Sequence, residues 1–107
     1  MAKVAFSRRA GVDLQGIGEY TQQTWGVRKA SLYLADLEQC CQLLAENPLL
    51  GRSCDEIRPG LRRMEHGSHV VLYRLHTNRR TSGILVSRIL HRSMLPERHP
   101  AEGDPQA

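Results

Sequence analysis

Ten arginines and five histidines crowd the second half of this 107-residue chain, and their placement suggests chemistry on a phosphate. Arg62, Arg63, Tyr73, Arg88 and His91 lie in or beside three strand-like runs between residues 61 and 91. Cleaving RNA needs a base to activate the 2′-hydroxyl, an acid for the leaving oxygen, and cations on the phosphate. His91 is the one side chain of ordinary acid–base type at the end of the last run, with the arginines as cations and Tyr73 as a hydroxyl. The competing reading is contact rather than catalysis. Arg88 and Arg92 then grip acidic groups of a partner, and His91 packs at a sheet edge.

His66 and His69 form an H-x-x-H pair, but they flank a turn with no cysteine or carboxylate cluster to complete a zinc set. No metal and no cofactor is expected. Cys40 and Cys41 are adjacent on a helix, where at least one should face the core, and Cys54 sits in a connector. An odd count without framework spacing does not describe an oxidised secreted scaffold, and a redox role for Cys54 is not expected.

The charge is unevenly divided. Residues 1–51 carry five Lys/Arg against five Asp/Glu, whereas residues 52–100 carry ten arginines against four acids. Such asymmetry implies an acidic partner, either nucleic acid or an acidic protein segment, with arginine favouring planar, bidentate contacts. The chain has five aromatic residues. Tyr20, Trp25 and Tyr33 are assigned to helix packing, which leaves bases nothing to stack on. Direct nucleic-acid binding by the chain alone is therefore not expected.

Those residues must be held by a scaffold. Residues 3–7 alternate as a short strand. Ser7 can cap a helix over residues 8–25, with Ala10, Leu14, Ile17, Tyr20 and Thr21 along one stripe. Gly11, Gly16 and Gly18 weaken that helix by about 1 kcal/mol each, and glycine also lets a partner helix approach closely. Gly26 breaks the chain, and a second helix runs to Asn47-Pro48. Its stripe is Ala30, Tyr33, Leu34, Leu37, Cys40, Cys41 and Leu44. Residues 49–60 read as a connector, followed by strands at 61–65, 69–75 and 83–91. The order is β-α-α-β-β-β: an α+β fold with a helical hairpin on one face of a small, mainly antiparallel sheet and the arginines on the other. Residues 1–99 form a single domain, and residues 100–107 are expected to be a disordered tail. With no apolar run near 18 residues and no apolar leader, a cytoplasmic protein with no membrane partner is expected.

The ordered motifs narrow this further. They are Asp13-Leu14, Trp25-Gly26, Glu46-Asn47-Pro48 before Leu50-Gly51-Arg52, and Ile57-Arg58-Pro59-Gly60-Leu61-Arg62-Arg63. Gly67-Ser68-His69-Val70, Tyr73-Arg74, Ile89-Leu90-His91-Arg92 and residues 94–99 follow. Over roughly residues 3–99 this pattern resembles the ParE branch of the RelE/ParE toxin superfamily, the toxins of type II toxin–antitoxin pairs. The resemblance implies a RelE/ParE-like fold and a ParD-like antitoxin as partner. It also implies inhibition of DNA gyrase, or of topoisomerase IV, without nuclease activity. RelE-type relatives instead cut messenger RNA on the ribosome, which keeps Arg62, Arg63, Tyr73, Arg88 and His91 as an alternative catalytic set. Such nucleases bring several lysines to the sheet, and this chain has none after Lys29. Carried onto this sequence, the target- and antitoxin-binding surface comprises Arg62, Arg63, Arg88, His91, Arg92, Met94, Glu97 and Arg98.

Overall fold

Ser7 turns the first corner of the chain. Its backbone N–H donates to the carbonyl of Val86 at 3.0 Å, and its hydroxyl donates to the carbonyl of Ser87 at 2.7 Å. The same oxygen accepts from the N–H of Ala10, capping the helix that follows. One residue thus joins the first strand, the first helix and the last strand. The computed structural model describes residues 2–77 and 82–95.

The elements are β1 (Ala2–Phe6), α1 (Arg8–Trp25), α2 (Val27–Glu46), β2 (Arg52–Ser53), β3 (Arg62–His66), β4 (His69–Leu75) and β5 (Ser82–His91), then a 3-10 turn (Arg92–Met94). The expected helical hairpin is present. Gly26, at φ 96°, takes the left-handed backbone that ends α1, and its N–H bonds the carbonyl of Gln22. A Cβ on Gly18 would lie 3.1 Å from Leu34, so the helices do approach closely there.

The sheet runs β1-β5-β4-β3-β2, with β1 parallel to β5 and every other pair antiparallel. β2 was read as connector. Two exposed residues carry no alternation to announce a strand, and only the pairing with Arg62 and Arg63 makes it one. In β5, Arg88 pairs with Leu72 and Val86 with Tyr73, leaving Ser87 as a bulge. That extra residue shifts the phase, so Ile84, Val86 and Ile89 all join the core under the helices.

Leu37, Cys41 and Leu44 of α2 pack with Ala10 and Ile17 of α1 on Val71, Tyr73 and those three residues of β5. The other sheet face departs from expectation. Beside the arginines it carries a second apolar cluster of Cys54, Leu61, Val70, Leu72 and Leu95. Alternation along β4 sends Val70 and Leu72 to that side, where the 53–61 loop and Leu95 cover them. By register Arg63 and Arg88 flank Leu72 on this face, and Arg74 follows it along β4.

Candidate functional site

Each arginine proposed from sequence meets a different fate. Arg62 folds back onto the connector and donates to the carbonyl of Gly51 from Nε at 3.0 Å and from Nη2 at 2.6 Å. Arg63 is 7% exposed and holds the Glu65 carboxylate at 2.8 Å. Tyr73 is fully buried; its hydroxyl donates to the carbonyl of Pro48 at 2.7 Å and accepts from the N–H of Gly51 at 2.9 Å. Arg88 reaches α1, where Nε donates to the Asp13 carboxylate at 2.8 Å and Nη2 at 3.1 Å. The structure does not bring these four to one surface with His91. Tyr73 and Arg62 hold the connector, and Arg88 ties the last strand to α1.

Asp13 also accepts the N–H of Ile89 at 2.9 Å. Burial pushes its carboxyl up, but the Arg88 and Ile89 hydrogen bonds and the charges of Arg88 and Arg9 outweigh this and hold it below the usual range. Asp13 appeared in the sequence only as part of a motif. Its pairing with a residue 75 positions away had no local signal.

His91 closes β5 and caps the 3-10 turn: its Nδ1 accepts the N–H of Ser93 at 3.2 Å and lies 2.8 Å from the Ser93 hydroxyl. Arg92 and Met94 are exposed on that turn, and Leu95 anchors it in the second cluster. Glu97 and Arg98, together with the 100–107 tail, lie outside the described residues.

Three of the proposed contact residues do converge. Arg88, His91 and Met94 line one hollow of about 540 Å³ against α1, which also contains Val12 and Asp13. A second hollow of about 570 Å³, with Trp25 and Leu32, meets the first at Tyr20, His69 and His91. The two make a continuous groove along the edge of the helical hairpin. Trp25 is 63% exposed and Tyr20 66%, which corrects their assignment to helix packing. Tyr20 faces the groove because Val12, Gly16 and Tyr20 form a second stripe at i, i+4 and i+8, beside the buried stripe of Ala10 and Ile17, and Trp25 lines the groove at the end of α1. That spacing was the available signal, since one helix partner cannot cover two stripes.

The groove floor is polar and ordered. The Tyr33 hydroxyl lies 3.2 Å from the carbonyl of His66 and 2.7 Å from Nδ1 of His69. Burial, then the charges of His91 and His66, push the His69 pKa down. His69 and His91 meet edge-to-face with ring centres 5.6 Å apart. The H-x-x-H pair straddles Tyr33, and the described residues contain no group of three metal-ligating side chains. Cys54 is fully buried, and burial pushes the Cys41 thiol up to about 12. No described helix is long and apolar enough to cross a membrane.

Residues 4–96 match the family model of the ParE toxin of type II toxin–antitoxin systems, parDE. The chain belongs to the ParE toxin family. Toxin ParE1 of Mycobacterium tuberculosis is 40% identical over 98 residues, covering 92% of this chain and 97% of its own. Toxin ParE1 of Caulobacter vibrioides is 37% identical over 99 residues, covering 92% and 98%. The fold matches a chain of the chromosomal ParDE system from P. aeruginosa with a TM-score of 0.67 at 23% identity, over 85% of this chain and 96% of that one. This ParE-family fold is the expected helical hairpin on a sheet, here a mixed sheet of five strands.

Proposed function

We propose that this ParE toxin inhibits DNA gyrase, or its relative topoisomerase IV, in the cytoplasm and is neutralised by a ParD-like antitoxin. The observation that carries the antitoxin half is the groove. A monomer that leaves Trp25, Tyr20, Leu32, Val12 and Met94 exposed along one hairpin edge has a face suited to an amphipathic helix. His69 and Arg88 at its floor offer polar partners that fix the register of that helix.

The target half rests on family membership together with the form of the C-terminal end. His91, Arg92 and Met94 are exposed on a turn held in place by Leu95, so they present a fixed cationic–apolar surface that fits a protein target. Inhibition then proceeds by contact, which traps a cleaved gyrase–DNA state. The nuclease alternative draws no support from the geometry, because Tyr73 and Arg62 are committed to backbone groups of the connector.

The test is a gyrase supercoiling assay with purified protein freed of antitoxin. Loss of supercoiling with linear, protein-linked DNA is expected, reduced by Arg92→Ala. Unimpaired supercoiling from a verified folded sample overturns the gyrase reading. Ribosome-dependent messenger cleavage lost in His91→Ala would replace it.

A further inference from the structure

Arg88 also borders a second cleft of about 440 Å³ at the start of α1, whose lining includes Arg8, Arg9, Arg58 and Arg74 and no carboxylate. Four segments that are distant in sequence supply these cations. Arg8 and Arg9 open α1, Arg58 sits in the 53–61 loop, Arg74 nears the end of β4, and Arg88 follows the β5 bulge. Among the described residues, Arg8, Arg58 and Arg74 take part in no salt bridge or side-chain hydrogen bond. Arg88 is paired with Asp13 at the border, and Arg9 acts on the same carboxylate through its charge. The α1 N-terminus adds its positive end, with no acid in its first turn to offset it. So many like charges on one concavity repel one another unless an anion joins them.

We propose that this cleft binds the phosphodiester backbone of duplex DNA. Arginine matches phosphate oxygens bidentately, and Arg8, Arg58 and Arg74 around the hollow, with Arg9 beside them, suit several phosphates rather than one small anion. No aromatic side chain lines the cleft, so it offers no platform for the bases of a single strand. That is why a sequence search for stacking residues passes over it. A duplex, read through its backbone alone, needs none. An acidic peptide fits less well. Leu61 and Leu72 at the floor are already buried and only Ile57 of the lining is an exposed large apolar side chain, whereas the groove exposes Tyr20, Trp25 and Leu32 together. The inference does not rest on gyrase, and its test contains none.

The test is fluorescence polarisation of a labelled 20-base-pair duplex against the purified protein, in a salt series. Arg8→Ala/Arg58→Ala/Arg74→Ala removes three exposed cations of the cleft. Arg28→Ala/Lys29→Ala/Arg52→Ala removes the same charge elsewhere and controls for net charge. The cleft variant should bind at least about 10-fold more weakly at low salt, with a log–log salt slope shallower by about 2.7. The control should change by less than about 3-fold. Circular dichroism melts confirm that both variants are folded. Equal losses in the two variants overturn the proposal. Tighter binding of a single-stranded RNA 20-mer, or equal competition by poly-glutamate, overturns the duplex assignment in favour of RNA or an acidic protein.

Discussion

The Tyr73 hydroxyl lies 2.9 Å from the amide nitrogen of Gly51 and 2.7 Å from the carbonyl oxygen of Pro48, at the floor of the connector that follows α2. A motif that reads as a helix stop, Asn47-Pro48-Leu49-Leu50-Gly51, is therefore also a socket for a core tyrosine. Arg62 completes the socket from β3 by donating to the Gly51 carbonyl.

Tyr73→Phe should leave the buried N–H of Gly51 and the half-buried carbonyl of Pro48 without their partner. The expected cost is about 1–3 kcal/mol, read as a lower urea midpoint with an unchanged slope. Supercoiling inhibition per folded molecule should stay the same. A large loss of activity with no loss of stability would instead give the hydroxyl a chemical role.

Gly51→Ala should be worse than its size suggests, because a Cβ there collides with the Tyr73 hydroxyl and the carbonyl of Arg63. Gly11→Ala is the contrasting case, since a Cβ at that helical position meets nothing within 4 Å. It should stabilise the protein by about 0.5–1 kcal/mol. Thermal melts of the two variants should move in opposite directions.

Asp13→Asn tests the tie between α1 and β5. The lowered pKa of Asp13 means that its stabilisation is present above the unfolded carboxylate value, about 3.9, and is lost as pH falls through the folded value. Wild type should exceed the variant by about 1.5–3 kcal/mol at pH 7. The gap should close in acid. A gap that persists at pH 2 would show that the pairing charge is not its source.

His69 works in the same direction at higher pH. Its lowered pKa means that the unfolded chain binds a proton more readily, so stability falls as pH drops below about 6.5. His69→Asn, whose amide can still hydrogen-bond the Tyr33 hydroxyl, should lose less stability than wild type between pH 8 and pH 5. Equal losses would place the acid sensitivity elsewhere.

Trp25→Ala should barely move the melting of the free protein, because the side chain is largely exposed, with Lys29 Nζ 5.3 Å from the ring centre. Binding of the cognate antitoxin should weaken by at least about 2 kcal/mol, roughly 30-fold. Calorimetric titration showing unchanged affinity would take the groove out of the antitoxin interface.

Local pattern carried much of this protein. Ser7, Gly26 and Asn47-Pro48 mark both helices to the residue, because caps and breaks depend on the conformations of a few adjacent residues. Alternation in residues 61–91 located three of the five strands for the same reason. The bulge at Ser87, the pairing of Arg88 with Asp13 and the socket for Tyr73 were decided only when the chain closed. Each depends on partners 13 to 75 positions apart. Charge counting found the arginines but not their neighbours. Folding committed Arg62 and Arg63 to structure, turned Tyr20 and Trp25 outward, and gathered five cations into a cleft that no stretch of sequence contains. Residue type sets what a side chain can bind, and the packed sheet sets which partner it meets.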